Sequence, residues 1–120
     1  GLVGSEMCIR DRDGLAFDQD GRLWIQTDGN YGNSGDFAGM GNNQMLCADP
    51  VSGEIRRFLV GPKGCEITGV AFSPDHRALF IGVQHPGEDG DSSFPDHQPG
   101  MRPRSSVVVV RRDDGGVIGA

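Results

Sequence analysis

Four side chains in this sequence stand where they could bind a cation. Asp13 and Glu66 each begin a short apolar segment, and Asp28 and His85 each follow the next apolar segment along the chain. Carboxylates that converge from separate strands are what a hard cation such as calcium requires. Each side chain also has a plain structural role open to it. Asp13 could be a turn residue, Glu66 a solvated charge, Asp28 part of an Asp-Gly turn, and His85 a hydrogen-bonded structural residue.

The segments that carry these residues are two copies of one pattern. "DGLAFDQDGRLWI" (13–25) and "EITGVAFSPDHRALFI" (66–81) both read as an apolar strand, a polar turn and a second apolar strand. At an offset of 55 residues, four positions correspond: Leu15 with Val70, Phe17 with Phe72, Asp20 with Asp75, and Arg22 with Arg77. An all-strand repeat of about 40–55 residues is typical of propeller blades. The alternative is two unrelated hairpins with similar residues.

The composition favours the propeller interpretation. Twenty glycines and seven prolines suit a turn-rich β fold and suit helices badly. We therefore predict an all-β fold, with two blades at about 13–62 and 63–120. Because a propeller needs about four to eight blades, the sequence reads as a fragment of a longer protein whose remaining blades are its partner.

The predicted strands are divided between these two blades. They cover about 14–18, 22–27, 43–49, 54–60, 66–72, 78–84 and 105–112. Long polar loops are predicted at 28–42 and 85–104, and both join the second strand of a blade to the third. Asn42, Asn43 and Gln44 offer amide groups that could cap the start of a strand. His76 replaces the turn glycine of the first copy and should be exposed, and "DDGGVIGA" (113–120) should trail off without forming a fourth strand.

The first twelve residues do not match the repeat. "GLVGSEMCIRDR" (1–12) resembles the translated adapter read-through found at the ends of assembled environmental sequences. This resemblance implies that residues 1–12 are not native and that the natural sequence begins near Asp13. It also removes Cys8 from any redox argument.

Charge and cysteine content exclude several classes of function. The net charge of −6 comes without a basic run, which argues against nucleic acid as a partner. No apolar stretch approaches the roughly 20 residues of a membrane span. The cysteines lack metal or redox spacing; Cys47 should be a small buried apolar residue, and a Cys47–Cys65 disulfide is possible without being required.

Long ordered motifs give the sequence a family resemblance. "DGLAFDQDGRLWIQTDG", "GNNQMLCADPVSGEIRRFLVGPKGCEITGVAFSPD", "ALFIGVQHPGE" and "RPRSSVVVVRRDDGGVIGA" together resemble the C-terminal part of the PhoX family of bacterial alkaline phosphatases. The resemblance runs from residue 13 to residue 120. It implies a six-bladed propeller, exported to the periplasm or secreted, that hydrolyses phosphomonoesters at an axial cluster of calcium and iron.

The resemblance also assigns site residues. Glu66 in "GCEITG" resembles a metal ligand of the family, and Asp13 is the next candidate, followed by Asp28. His85 lies in the family motif "QHPGE" and is a candidate on the substrate side. Other ligands and the phosphate contacts would lie upstream, so the fragment alone should be inactive, and no catalytic residue is assigned. A calcium-dependent propeller lactonase or phosphotriesterase, and a non-catalytic propeller scaffold, remain alternatives.

Overall fold

The protein is all-β, with two antiparallel sheets in sequence order. The structure, a computed structural model, describes residues 12–27, 43–87, 90 and 92–120, without the side chains of residues 12 and 13. The first sheet has the order β1-β2-β3-β4 and the second the order β5-β6-β7. The strands are β1 Arg12–Phe17, β2 Leu23–Thr27, β3 Gln44–Ala48, β4 Ile55–Val60, β5 Glu66–Phe72, β6 Leu79–Gln84 and β7 Ser106–Val110.

The seven predicted strands are confirmed within about two residues at each end. The repeat holds in the register, since Leu15 pairs with Ile25 in the first sheet and Val70 pairs with Ile81 in the second. The first predicted long loop, 28–42, lies outside the described residues. Nothing helical in the described part of the chain is long and apolar enough to cross a membrane.

The hydrophobic core lies between the two sheets. Side chains alternate across a strand, so β6 turns Ile81 toward the first sheet and leaves Phe80 exposed on the opposite face. The ring of Trp24 fills the centre, with edge contacts to Phe58 at 4.9 Å and to Phe72 at 5.8 Å between ring centroids. The buried members of this cluster are Trp24, Met45, Cys65, Ile67, Leu79, Ile81, Val83 and Ile118.

Residues 113–120 form no fourth strand, as expected, but the expectation that this segment trails off was wrong. The side chain of Ile118 is buried in the core between the sheets. Its N–H donates to the carbonyl of His76 in the second sheet at 2.9 Å, and its carbonyl accepts from Nη2 of Arg22 in the first at 3.3 Å. The segment therefore connects the two sheets. The side chain of Ile118 packs in their shared core, and its backbone N–H and carbonyl each form a hydrogen bond with a residue of a different sheet or its turn.

His76 takes the place of a turn glycine, as predicted, but it is not exposed. Its φ is +56°, in the left-handed region where the first copy has Gly21 at +84°. The imidazole stacks on the ring of Phe72, with centroids 4.7 Å apart and planes 11° apart, and the residue is half-buried. Glycine would be less strained at this backbone conformation, and the stacking contact with Phe72 explains why the structure accommodates a histidine here.

Cys47 and Cys65 are both free thiols, so they form no disulfide with each other. Cys65 is fully buried in the core and Cys47 is half-buried against it. Burial raises the pKa of the Cys65 thiol to about 12, which keeps it protonated and unreactive at neutral pH.

Candidate metal-binding site

Glu66 stands at the start of the strand of the second sheet that adjoins the first. It is the first residue of β5 and pairs with Gln84 of β6. Its side chain is 27% exposed, and its Oε1 atom lies 3.3 Å from Nε2 of His85. The structure thus brings together two of the four residues that the sequence singled out.

Hydrogen bonds hold both the ring and the backbone of His85. Its Nδ1 lies 3.0 Å from the carbonyl oxygen of Gly64, and its backbone N–H donates to Oγ of Ser105 at 3.0 Å. A carbonyl oxygen can only accept a hydrogen bond, so Nδ1 of His85 must be protonated. Nε2 faces a carboxylate, which favours a proton on this nitrogen as well. The arrangement therefore favours an imidazolium beside Glu66.

The electrostatics agree with this protonation state. Burial by itself would lower the pKa of His85. Hydrogen bonds with its own backbone, with the carbonyl of Gly64 and with the carboxylate of Glu66 outweigh burial, so the pKa lies above its ordinary value. His85 can thus hold the Glu66 carboxylate in one orientation and place positive charge near any anion that arrives there.

Asp13 lies at the corresponding end of β1, but it falls in a β-bulge, whereas Glu66 is regularly paired with Gln84. The β1–β2 register shifts between Arg12 and Gly14, so Asp13 is a bulge residue. In β5 the bulge falls at Gly69, between Thr68 and Val70. The strands β1 and β5 contact each other across the two sheets. Bulges re-aim side chains and are common beside active sites, although the side chain of Asp13 lies outside the described part.

Asp28 lies outside the described residues, so its candidate role stays a prediction. Among the residues that the structure describes, no group of three or more His, Cys, Asp or Glu side chains could hold a metal ion. Calcium takes six to eight oxygen ligands. A partly exposed carboxylate such as Glu66 has the right donor chemistry for calcium, and the described residues can supply only part of a coordination shell.

Asn43 is a contributor whose role the sequence did not reveal. It is buried at the start of β3, and its Nδ2 donates to the carbonyl of Cys65, the residue before Glu66, at 3.0 Å. The sequence signal was only an amide before a strand, which predicts a local cap. The observed bond spans 22 residues, and only the packing of the two sheets brings its partners together.

A large cleft lies away from this end of the strands. A cavity of about 590 Å³ is lined by Trp24, Phe58, Arg56 and the C-terminal residues, near the turns that close the opposite end of the first sheet. Its charged groups include Arg22, which already pairs with Asp18 at 2.9 Å. Cleft size alone therefore does not locate the candidate metal ligands.

The fold defines a class: two adjacent antiparallel sheets that resemble propeller blades and pack around one core. A family model described as "Alkaline phosphatase PhoX" matches residues 4–87. The chain belongs to the PhoX family of alkaline phosphatases, which confirms both the resemblance and the predicted fold class, an all-β fragment of a propeller.

A solved structure gives the same result. The structure described as "Pseudomonas fluorescens PhoX in complex with vanadate, a transition state analogue" is 67% identical to this chain, with a TM-score of 0.87. The match covers 91% of this chain and 19% of that chain, so this chain spans about a fifth of the PhoX protein it matches. The comparison with curated proteins found no match.

Proposed function

We propose that this chain is part of a metal-dependent alkaline phosphatase that hydrolyses phosphomonoesters at a calcium and iron centre. Family membership and the similarity to a PhoX structure that binds vanadate support a phosphate ester as the substrate. The observation that carries the proposal is the Glu66–His85 pair at the start of β5. The same family similarity favours a phosphatase over a propeller lactonase, a phosphotriesterase or a scaffold.

In this proposal Glu66 and Asp13 supply carboxylate oxygens to the calcium, with Asp28 as a third candidate. Bound cations neutralise the phosphate and stabilise charge on its attacking and departing oxygens. Glu66 would bind the cation through an oxygen atom, and His85, oriented by the Gly64 carbonyl, would keep that carboxylate in place. His85 also adds positive charge on the substrate side of the site.

The fragment by itself should be inactive. Calcium takes six to eight oxygen ligands, and the described residues bring together no group of three or more His, Cys, Asp or Glu side chains, so further ligands would come from Asp28 and from the rest of the full-length protein. The family resemblance further implies export to the periplasm or secretion, and the substrate would be met there as a small soluble phosphomonoester.

The test uses the full-length protein that contains this chain, depleted of calcium and then reloaded with it. Glu66→Ala should abolish the calcium-stimulated hydrolysis of p-nitrophenyl phosphate while the circular dichroism spectrum stays unchanged. Glu54→Ala is the matched control, since Glu54 is exposed and its ion pair in the described part of the chain is with the exposed Arg56 at 2.9 Å. Unchanged turnover in Glu66→Ala, beside an active Glu54→Ala control, would reject Glu66 as a ligand.

A further inference from the structure

A five-residue crossover from the first sheet to the second leads directly into Glu66. Residues 61–65 connect the end of β4 to the first residue of β5. Asn43, in the other sheet, is bonded to both ends of this crossover. The N–H of Gly61 donates to the backbone carbonyl of Asn43 at 2.8 Å, and Nδ2 of Asn43 donates to the carbonyl of Cys65 at 3.0 Å. One residue of the first sheet thus fixes the segment that leads into the candidate ligand.

The orientation of the Asn43 side chain is itself determined. Its Oδ1 accepts from the hydroxyl of Thr27 at 3.0 Å. The same hydroxyl oxygen accepts from the backbone N–H of Gln44 at 2.8 Å, so its hydrogen is left for Asn43. Asn43 and Thr27 are 4% exposed. Because Oδ1 of this buried amide accepts from Thr27, its nitrogen is the atom that faces the carbonyl of Cys65.

The crossover has little room to adopt another path. A Cβ atom at Gly61 would lie 2.8 Å from Cδ1 of Ile67 and 3.2 Å from the carbonyl oxygen of Asn43. On the other side, the carbonyl of Gly64 bonds Nδ1 of His85, the residue that contacts Glu66. Asn43 and His85 therefore hold the same short segment from two directions.

We propose that Asn43 is a positioning residue for the metal site, acting on Glu66 through the Cys65 carbonyl. This inference rests on the proposed role of Glu66 as a calcium ligand. Loss of the Nδ2 donor leaves the Cys65 carbonyl without that bond and releases the peptide that precedes Glu66. The carboxylate then samples more orientations, and calcium affinity falls. Residues that orient a metal ligand typically contribute about 10–100-fold in metal affinity.

The test measures calcium affinity by isothermal titration in the metal-stripped full-length protein. Asn43→Asp has nearly the same shape and keeps an oxygen for Thr27, but it loses the donor to Cys65. Its calcium Kd should rise about 10-fold or more. Thr27→Val keeps Asn43 and removes the hydroxyl that orients it, a hydroxyl that also accepts from the backbone N–H of Gln44. It should give a smaller rise, about 3-fold, and it provides an independent arm if Asn43→Asp fails to fold.

Leu46→Ala is the matched control for lost stability. Leu46 is 5% exposed and belongs to a separate cluster with Ile25, on the first sheet alone. This variant should lower the melting temperature and leave calcium affinity within about 2-fold. Equal shifts of calcium affinity in Leu46→Ala and Asn43→Asp, or no shift in Asn43→Asp and Thr27→Val, would overturn the positioning role.

Glu66→Gln separates the two proposals. If Glu66→Gln weakens calcium binding and the Asn43 and Thr27 variants do not, only the positioning role fails. If Glu66→Gln binds calcium as tightly as the unsubstituted protein, the proposed function fails and the inference about Asn43 falls with it.

Discussion

The buried carboxylate of Asp18 should be a principal stabilising group of the first sheet. Its side chain is 1% exposed, and it accepts from Nε1 of Trp24 at 3.0 Å and from Nε of Arg22 at 2.9 Å. The backbone N–H groups of Asp20 and Arg22 also donate to it, each at 2.9 Å. Asp18→Asn replaces one carboxylate oxygen, an acceptor, by an amide NH2 group. This group is itself a donor and would face the N–H donors that bond Asp18. We expect it to cost about 2–3 kcal/mol, since hydrogen bonds to charged groups contribute about 1.5–3 kcal/mol.

Hydrogen-exchange mass spectrometry of the full-length protein can measure this loss locally. A cost of about 2–3 kcal/mol corresponds to roughly 30–150-fold faster exchange in peptides covering residues 18–27, at tenfold per 1.4 kcal/mol. Asp75→Asn is the control, because Asp75 is exposed and its carboxylate accepts from the hydroxyl of Ser73 and the backbone N–H of Arg77. It should accelerate exchange in its own turn by less than about 5-fold.

The effect of Asp18 should also depend on pH. Burial would raise the pKa of Asp18, but the bonds from Trp24, Arg22 and Asp20 outweigh it, so the folded pKa lies below the ordinary value of 3.8. Its stabilisation is then fully present above the unfolded-state pKa and is lost as pH falls through the folded value. The gap in melting temperature between the unsubstituted protein and Asp18→Asn should therefore narrow below about pH 4. A constant gap down to pH 3, or equal effects of Asp18→Asn and Asp75→Asn, would refute the reasoning.

Two further predictions concern the core between the sheets. Ile118→Ala should destabilise the fold by about 2–4 kcal/mol, because it opens a cavity at a side chain that is 1% exposed. Thermal unfolding measures this loss beside the control Val117→Ala, which changes a half-buried side chain. Equal losses of stability in the two variants would contradict the prediction. Cys65 should resist alkylation by iodoacetamide at pH 8 in the folded protein, because burial raises its pKa to about 12, whereas the half-buried Cys47 should react first. Mass spectrometry of the two labelled peptides gives the order, and faster labelling of Cys65 would show that its surroundings open readily.

The strands were predictable because their signals are local. The alternation from Leu15 to Phe17 recurs from Val70 to Phe72, and each copy is followed by an Asp-containing turn. The turn at His76 could also be placed, since it aligns with Gly21. Its stacking on Phe72 could not be foreseen, because no local pattern separates a stacked imidazole from a solvated one.

The contacts that position the site were not predictable, because each joins distant parts of the chain. "DDGGVIGA" has no strand periodicity, and only the space between the sheets explains the burial of Ile118. The bond from Asn43 to Cys65 likewise depends on the packing of one sheet against the other. Glu66 and His85 could be proposed one by one from the repeat and the family motifs. Their contact arises from the β5–β6 register and the left-handed backbone of His85.

The most direct test of the account is a crystal structure of the full-length protein with bound metal, with cations located by anomalous scattering. If Glu66 is a calcium ligand, one of its carboxylate oxygens should lie about 2.3–2.6 Å from a calcium peak. A fully loaded site in which Glu66 remains paired with His85, with no cation in its coordination range, would contradict the central claim.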